Sequence, residues 1–141
     1  MNREEFCKVL QDGRKESDKS WLDLTIATHL NQSAIQKVIN GDTNFFVESV
    51  LKIANALGMS IVVIRNEEIT VIDTLEALTH WVQRSQQESG LSVNKFKDEI
   101  GLTRVAVTAN LKGESRMRID TFLKWAEVTG WSVEVTMTKS K

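Results

Sequence analysis

Polar side chains between residues 31 and 40 have the types and spacing needed to read the edges of base pairs. Ile35 and Val38 lie three residues apart and are expected to face inward on one helix, which leaves the polar residues around them on the outside. Glutamine can make paired hydrogen bonds to the major-groove edge of adenine, and lysine can reach the acceptors of guanine. Two pairs of polar residues, each spaced four apart on one side of the helix, form this face: Gln32 with Gln36, and Ser33 with Lys37.

A second stretch offers a polar and basic face of the same kind. Its members are Thr103, Arg104, Thr108 and Lys112, followed in the adjoining loop by Arg116 and Arg118. Four basic residues between positions 102 and 118 oppose only Glu114, whereas positions 30–46 hold only Lys37 against Asp42. A local surplus of this kind can neutralise phosphates. The net charge of −1 for the whole chain favours no partner by itself.

The two stretches belong to an internal repeat. Shifting the sequence by 72 residues aligns its halves without a gap. Identical residues then coincide at several positions, and apolar residues coincide at many more. The identical pairs include Ser20 with Ser92, Leu30 with Leu102, Ala34 with Ala106, Gly41 with Gly113, Ala54 with Ala126 and Gly58 with Gly130. Two copies are too few for a solenoid, so we expect two tandem compact domains, at residues 1–66 and 74–141.

Each copy is predicted to be a series of short helices followed by a strand. Ser20, Ser92, Asn31 and Thr103 are plausible helix N-caps, because their side-chain oxygens can accept hydrogen bonds from free backbone amides. The short, β-branched runs at residues 60–64 and 132–137 favour strands. Residues 66–68 can turn the first strand back through residues 69–72. A small antiparallel sheet that joins the halves, or that pairs two chains, is therefore expected.

The order of helices resembles a known family. Residues 24–41, LTIATHLNQSAIQKVING, resemble the helix-turn-helix of the phage-repressor/Cro family, also called XRE-like, and residues 51–58, LKIANALG, resemble its closing helix. Residues 96–113, FKDEIGLTRVAVTANLKG, and 122–130, FLKWAEVTG, repeat the scheme. The resemblance implies a mainly α fold with short β-strands, in which two tandem lambda-repressor-like helix-turn-helix domains are each followed by a short strand.

The function that the resemblance implies is sequence-specific binding of double-stranded DNA by a transcriptional regulator, a repressor, with a recognition helix in the major groove. Base reading would fall to Gln32, Ser33 and Lys37, with Gln36 beside them, and Asn31 and Asn40 would contact phosphates. In the second copy the candidates are Thr103, Arg104, Thr108, Lys112 and Arg116. One chain could act as its own pseudo-dimer, or two chains could form a homodimer through their C-terminal strands.

Four residues depart from the family pattern. His29 stands at the usual turn glycine, and histidine tolerates a positive φ better than bulkier residues do. Trp21 replaces a polar residue that often contacts phosphate, and it could pack locally, contact the sugar-phosphate backbone or meet a protein partner. Lys97 stands where close helix packing usually requires alanine, and Asn110 falls at a normally apolar position. Two interpretations of the second copy follow: phosphate binding without strong base preference, or conversion to a protein-interaction domain.

Other classes of function are disfavoured. His29 and His80 stand beside no ligand cluster, nucleophile motif or phosphate-binding loop, so we expect no enzyme, no cofactor and no metal site. No apolar run approaches the ~18 residues that a bilayer span needs, and we expect a soluble protein without a membrane partner, cytoplasmic in a bacterial or phage setting and nucleoid-associated when bound. The alternative function is an antitoxin-like or other protein-interaction module of the same fold, with degenerate DNA-reading faces. Trp21 and Trp81 are the candidates for an exposed contact with a protein partner, whereas Trp125 and Trp131 are expected in the second core.

Overall fold

The 72-residue repeat is reproduced element by element in the structure. The computed structural model describes residues 1–114 and 116–137, and within them the chain is mainly α-helical with one short antiparallel sheet. Matching helices begin 72 residues apart in all four pairs. In chain order the elements are α1 (Arg3–Glu16), α2 (Trp21–Thr28), α3 (Gln32–Asn40), α4 (Val47–Ala56), β1 (Met59–Arg65), β2 (Glu68–Ile72), α5 (Leu75–Glu88), α6 (Val93–Ile100), α7 (Arg104–Lys112), α8 (Ile119–Thr129) and β3 (Ser132–Met137).

Local signals in the sequence set the ends of these helices. All four predicted N-caps are confirmed: Ser20, Asn31, Ser92 and Thr103 each accept a hydrogen bond from the backbone amide three residues on. Gly41 and Gly113 close α3 and α7 in the left-handed region, each with φ of 71°. A Cβ at Gly41 would also lie 3.2 Å from the sulfur of Cys7, so this position requires glycine for packing as well as for backbone conformation.

The sheet joins the two halves of the chain, which is one of the two arrangements that the sequence leaves open. Its strand order is β2-β1-β3, and both pairings are antiparallel. The predicted hairpin is present, with Asn66 at φ 58° between β1 and β2. In the β1–β3 pairing Val62 lies opposite Glu134, its own equivalent in the repeat. The pairing is therefore reciprocal: Ile61 lies opposite Val135, and their equivalents Val133 and Val63 lie opposite each other.

A second reciprocal contact connects the loops that precede α4 and α8. An isolated antiparallel bridge pairs Phe46 with Arg118, again two equivalent residues. Two backbone hydrogen bonds flank it, from the Val47 amide to the Met117 carbonyl at 2.8 Å and from the Ile119 amide to the Phe45 carbonyl at 2.7 Å. Contacts in which equivalent residues exchange the same bonds have the form of a two-fold symmetric interface. The halves of this chain are therefore joined as the subunits of a two-fold dimer are.

One continuous apolar core runs through both halves and includes three of the four tryptophans. Trp125 and Trp131 are buried there, as the sequence predicts. The expectation that Trp81 is exposed is wrong: its side chain is 2% exposed and packs edge-on against Phe122 and Trp131. The physical reason is its place on the apolar face of α5, which turns toward the core. The Trp125 indole N–H donates to the buried Ser85 hydroxyl at 3.0 Å.

We predict that Ile61→Ala destabilises the whole chain in one transition. Ile61 is 1% exposed, on the inner face of β1 between Ile72 and Val135, so its truncation should cost roughly 2–5 kcal/mol of unfolding free energy. Denaturant unfolding followed by circular dichroism and by tryptophan fluorescence should shift together. Ile69→Ala, at a site 63% exposed, is the control and should change stability by less than about 0.5 kcal/mol. Two separate transitions, with only one of them moved, would contradict a shared core.

Candidate nucleic-acid interface

Helix α3 buries one side and presents the predicted polar residues on the other. Ile35, Val38 and Ile39 are buried in the core. Gln32, Ser33 and Lys37 are exposed and Gln36 is half-buried; with the exposed Asn40 they form what we call the α3 outer face. No hydrogen bond or ion pair to another described residue engages the side chains of Gln32, Ser33 or Lys37. These groups are available to an external partner.

Helix α7 repeats this arrangement with different side chains. Val107 and Asn110 are its buried residues, so the departure at Asn110 is accommodated inside the protein. The α7 outer face comprises the positions equivalent to the α3 outer face: Arg104, Val105, Thr108, Ala109 and Lys112. Val105 is not among the residues predicted from the sequence, because that prediction rests on polar residue types. Aligning it with Ser33 through the repeat would have found it.

Both helices are anchored from behind in the same way. Gln11 of α1 donates a side-chain hydrogen bond to the Ile39 carbonyl at 3.0 Å, and the equivalent Gln83 of α5 donates to the Leu111 carbonyl at 2.7 Å. These bonds satisfy carbonyls near the C-terminal ends of α3 and α7, which have no partner within the helix. The two outer faces are thus held on a repeated scaffold.

The turn before each outer helix is tight and left-handed. His29 ends α2 with φ of 61°, and its amide donates to the Thr25 carbonyl at 2.9 Å. Gly101 ends α6 in the same conformation, with φ of 80°. His29 is exposed, and its position confirms the prediction that it is a turn residue.

The N-caps of α3 and α7 keep donors for an approaching anion. The Asn31 side-chain oxygen accepts from the Ala34 amide at 2.7 Å, which leaves its amide NH₂ group free of that bond. The Thr103 oxygen accepts from the Ala106 amide at 3.1 Å, and its hydroxyl proton can still be donated. Phosphate oxygens accept hydrogen bonds from such groups at helix N-termini.

Both arginines that follow α7 form contacts between the two halves of the chain. The Arg116 side chain donates to Glu48 at 3.1 Å and lies 3.8 Å from the centre of the Phe46 ring. Arg118 lies 4.4 Å from the same ring and donates to the Asn44 carbonyl at 2.8 Å. The phosphate contact of Arg116 stays a prediction. Within the chain, Arg116 contacts Glu48 and Phe46 of the first half.

A further pair of arginines stabilises the sheet. Arg84 pairs with Glu68 at 2.5 Å and with Glu88 at 2.9 Å, and Arg65 also pairs with Glu88. The hydrogen bonds from Arg84 hold the pKa of both carboxyl groups below their usual value, with Arg65 adding to the effect at Glu88. The Arg65 guanidinium lies 4.5 Å from the centre of the Trp131 ring. These charges serve the packing of the hairpin on α5.

The α7 outer face carries more exposed basic side chains than the α3 outer face does. Among the residues that the structure describes, Lys37, Arg104 and Lys112 are exposed and form no ion pair. The helices that precede α3 and α7 increase this difference in charge between the two copies. In α2 the Asp23 carboxylate accepts from the Ser20 amide at 3.0 Å, which lowers the pKa of Asp23 and places a negative charge at the helix N-terminus. Lys95 stands at the equivalent position in α6, so the second copy is the more attractive to phosphate.

The remaining predicted residues lie at the margins. Asn40 lines a cleft of about 780 Å³ between α1, the end of α3 and α8. Trp21 is half-buried, and the Arg14 guanidinium lies 3.9 Å from the centre of the Trp21 ring. Trp21 is therefore not the exposed contact that the sequence predicts. Lys97 is half-buried and pairs with Asp98 at 2.7 Å, which keeps its charge at the surface of α6.

Cys7 borders the same cleft, but its side chain is buried in the core. Its thiol donates to the Val38 carbonyl at 3.3 Å, and burial raises the pKa of the thiol to about 11. Within residues 1–114 and 116–137, no group of three or more His, Cys, Asp or Glu side chains could hold a metal ion. No helix in that part of the chain is long and apolar enough to cross a membrane.

No protein-family model, curated protein sequence or solved structure matches this chain.

We predict that His29→Gly stabilises the protein. A left-handed backbone conformation costs a residue with a Cβ about 1 kcal/mol or more, and glycine avoids this cost. Thermal unfolding should show a gain of roughly this size. The reverse change at the equivalent turn, Gly101→His, should lower stability by a similar amount. A loss of stability in His29→Gly would show that the imidazole makes a contact outweighing the backbone strain.

Proposed function

We propose that this chain is a sequence-specific DNA-binding regulator of the helix-turn-helix type that acts as a repressor. The observation that supports it best is the pair of outer faces on α3 and α7. These helices are equivalent in the repeat, and reciprocal contacts join the two halves that carry them. Each outer face carries exposed hydrogen-bonding or basic groups at its N-terminal end. Each is preceded by a short helix and a left-handed turn, as a recognition helix is when it enters the major groove with its first residues leading.

In this proposal the outer residues of α3 divide into two roles. Gln32 pairs with an adenine edge and Lys37 reaches a guanine acceptor, and each good contact contributes roughly 1–3 kcal/mol of discrimination. Asn31 donates its free amide group to a phosphate and so fixes the helix in the groove. Binding at a promoter would exclude other proteins from the same grooves, which is the physical basis of repression.

The two-fold relation suits the symmetry of duplex DNA. Regulators of this type commonly dimerise so that two recognition helices enter successive major grooves, about 34 Å apart. Here the β1–β3 pairing and the bridge between Phe46 and Arg118 would replace the dimer interface. We propose that the helix-turn-helix units of residues 1–66 and 74–141 act together as a pseudo-dimer within one chain.

A protein partner is the second candidate, and α2 favours it. Leu22 and Ile26 lie four residues apart on α2 and are 67% and 64% exposed. Two large apolar side chains on one helical face suit a contact with another protein. An antitoxin-like role combines this surface with DNA binding, because such a protein can repress its own promoter as well as bind a toxin.

The DNA-binding proposal predicts a sequence preference that depends on Gln32. Duplexes selected from a random pool should bind the isolated chain at physiological salt, with affinity falling as salt rises. Gln32→Ala should lose roughly 1–3 kcal/mol of discrimination at one base pair. Gln87→Ala, an exposed glutamine at the end of α5, is the matched control and should leave the preference unchanged. Absence of binding by the isolated chain even at low salt would contradict the proposal and favour the protein-partner function.

A further inference from the structure

The two outer faces differ at all of their positions, although the helices that carry them are equivalent. The inward positions keep their apolar character in three of four pairs: Ala34 with Ala106, Ile35 with Val107 and Ile39 with Leu111. The outward pairs are Gln32 with Arg104, Ser33 with Val105, Gln36 with Thr108, Lys37 with Ala109 and Asn40 with Lys112. The two helices therefore share the apolar character of most inward-facing residues but present different side chains on their outer faces.

Val105 is the most unusual of these residues. Its side chain is 79% exposed, more than any other large apolar side chain in the described part of the chain. It is the second residue of α7, between Arg104 and the helix interior. In a major groove the C5-methyl of thymine is the apolar group that such a side chain can contact. The neighbouring Arg104 guanidinium is exposed and matches the paired acceptors of guanine.

We infer, on the premise of the proposed DNA binding, that the operator has two-fold geometry but two different half-sites. Val105 contacts a thymine methyl group in the half-site under α7, beside a guanine read by Arg104. The half-site under α3 is read by hydrogen bonds from Gln32 and Ser33. A homodimer carries two identical faces and reads an inverted repeat, whereas this chain carries two unlike faces. It therefore binds its operator in one direction only.

The charges on the two faces support the same asymmetry. Arg104 and Lys112 are exposed on the α7 outer face, and Lys95 lies at the N-terminal end of α6. The first copy offers Lys37 alone on its outer face and carries Asp23 where Lys95 stands. The half-site under α7 should therefore contribute the larger share of the salt-dependent affinity.

Replacement of single thymines by deoxyuridine, which lacks the C5-methyl group, tests the assignment of Val105. On the duplex selected by the full chain, one substitution should weaken wild-type binding about 3- to 5-fold, the effect of one buried methyl group. Val105→Ala should bind the thymine duplex with a similar loss and should not distinguish thymine from deoxyuridine at that position. Val71→Ala, on the exposed strand β2, is the matched control and should behave as wild type. Unchanged thermal unfolding of Val105→Ala would show that the loss is not a folding defect.

A second set of duplexes tests the two unlike half-sites. The selected site should be bound at least tenfold more tightly than either palindrome built from one of its halves. Selection of a perfect inverted repeat, or of a single half-site, would overturn the inference while leaving DNA binding intact. A deoxyuridine effect that persists in Val105→Ala would likewise overturn the role of Val105. Failure to bind any duplex would instead overturn the proposed function itself.

Discussion

The antiparallel pairing of β1 with β3 holds the two halves of the chain together and sets how they lie against each other. It sets Val62 opposite its own equivalent Glu134, and the bridge of Phe46 with Arg118 repeats the relation at a second point. Two such points fix the orientation of one half against the other. The halves then share one continuous core, which adds to the small amount of apolar surface that a domain of this size can bury by itself.

That constraint also determines what the outer helices can do. Because α3 and α7 are anchored by equivalent glutamines on halves joined by reciprocal contacts, they form a pair in fixed relation. The exposed side chains on the outer faces of α3 and α7 are not needed for packing within the chain. Arg65, Arg84, Arg116 and Arg118 serve packing, whereas Lys37, Arg104 and Lys112 do not. Although the net charge of the chain is −1, Lys37, Arg104 and Lys112 thus remain exposed on the two outer faces.

The sequence predicts the parts of this molecule that are decided locally. Helix caps at Asn31 and Thr103 and the turn at His29 depend on neighbouring residues, and all three are confirmed. The partners of Arg116 could not be predicted, because Glu48 lies 68 residues away and only the joined halves bring them together. The burial of Trp81 could not be predicted for the same reason, because its neighbours Phe122 and Trp131 lie on α8 and just before β3. Val105 could not be predicted as a site residue, because its high exposure, which its residue type does not indicate, is what sets it apart from other valines.

In the proposed function, one chain presents two reading helices to one DNA site. Native mass spectrometry of the complex with a duplex selected by the full chain, combined with footprinting, tests it most directly. We expect one chain per duplex and protection of two successive major grooves on the same side of the DNA. Two chains per duplex, or protection of a single groove by one chain, would contradict it.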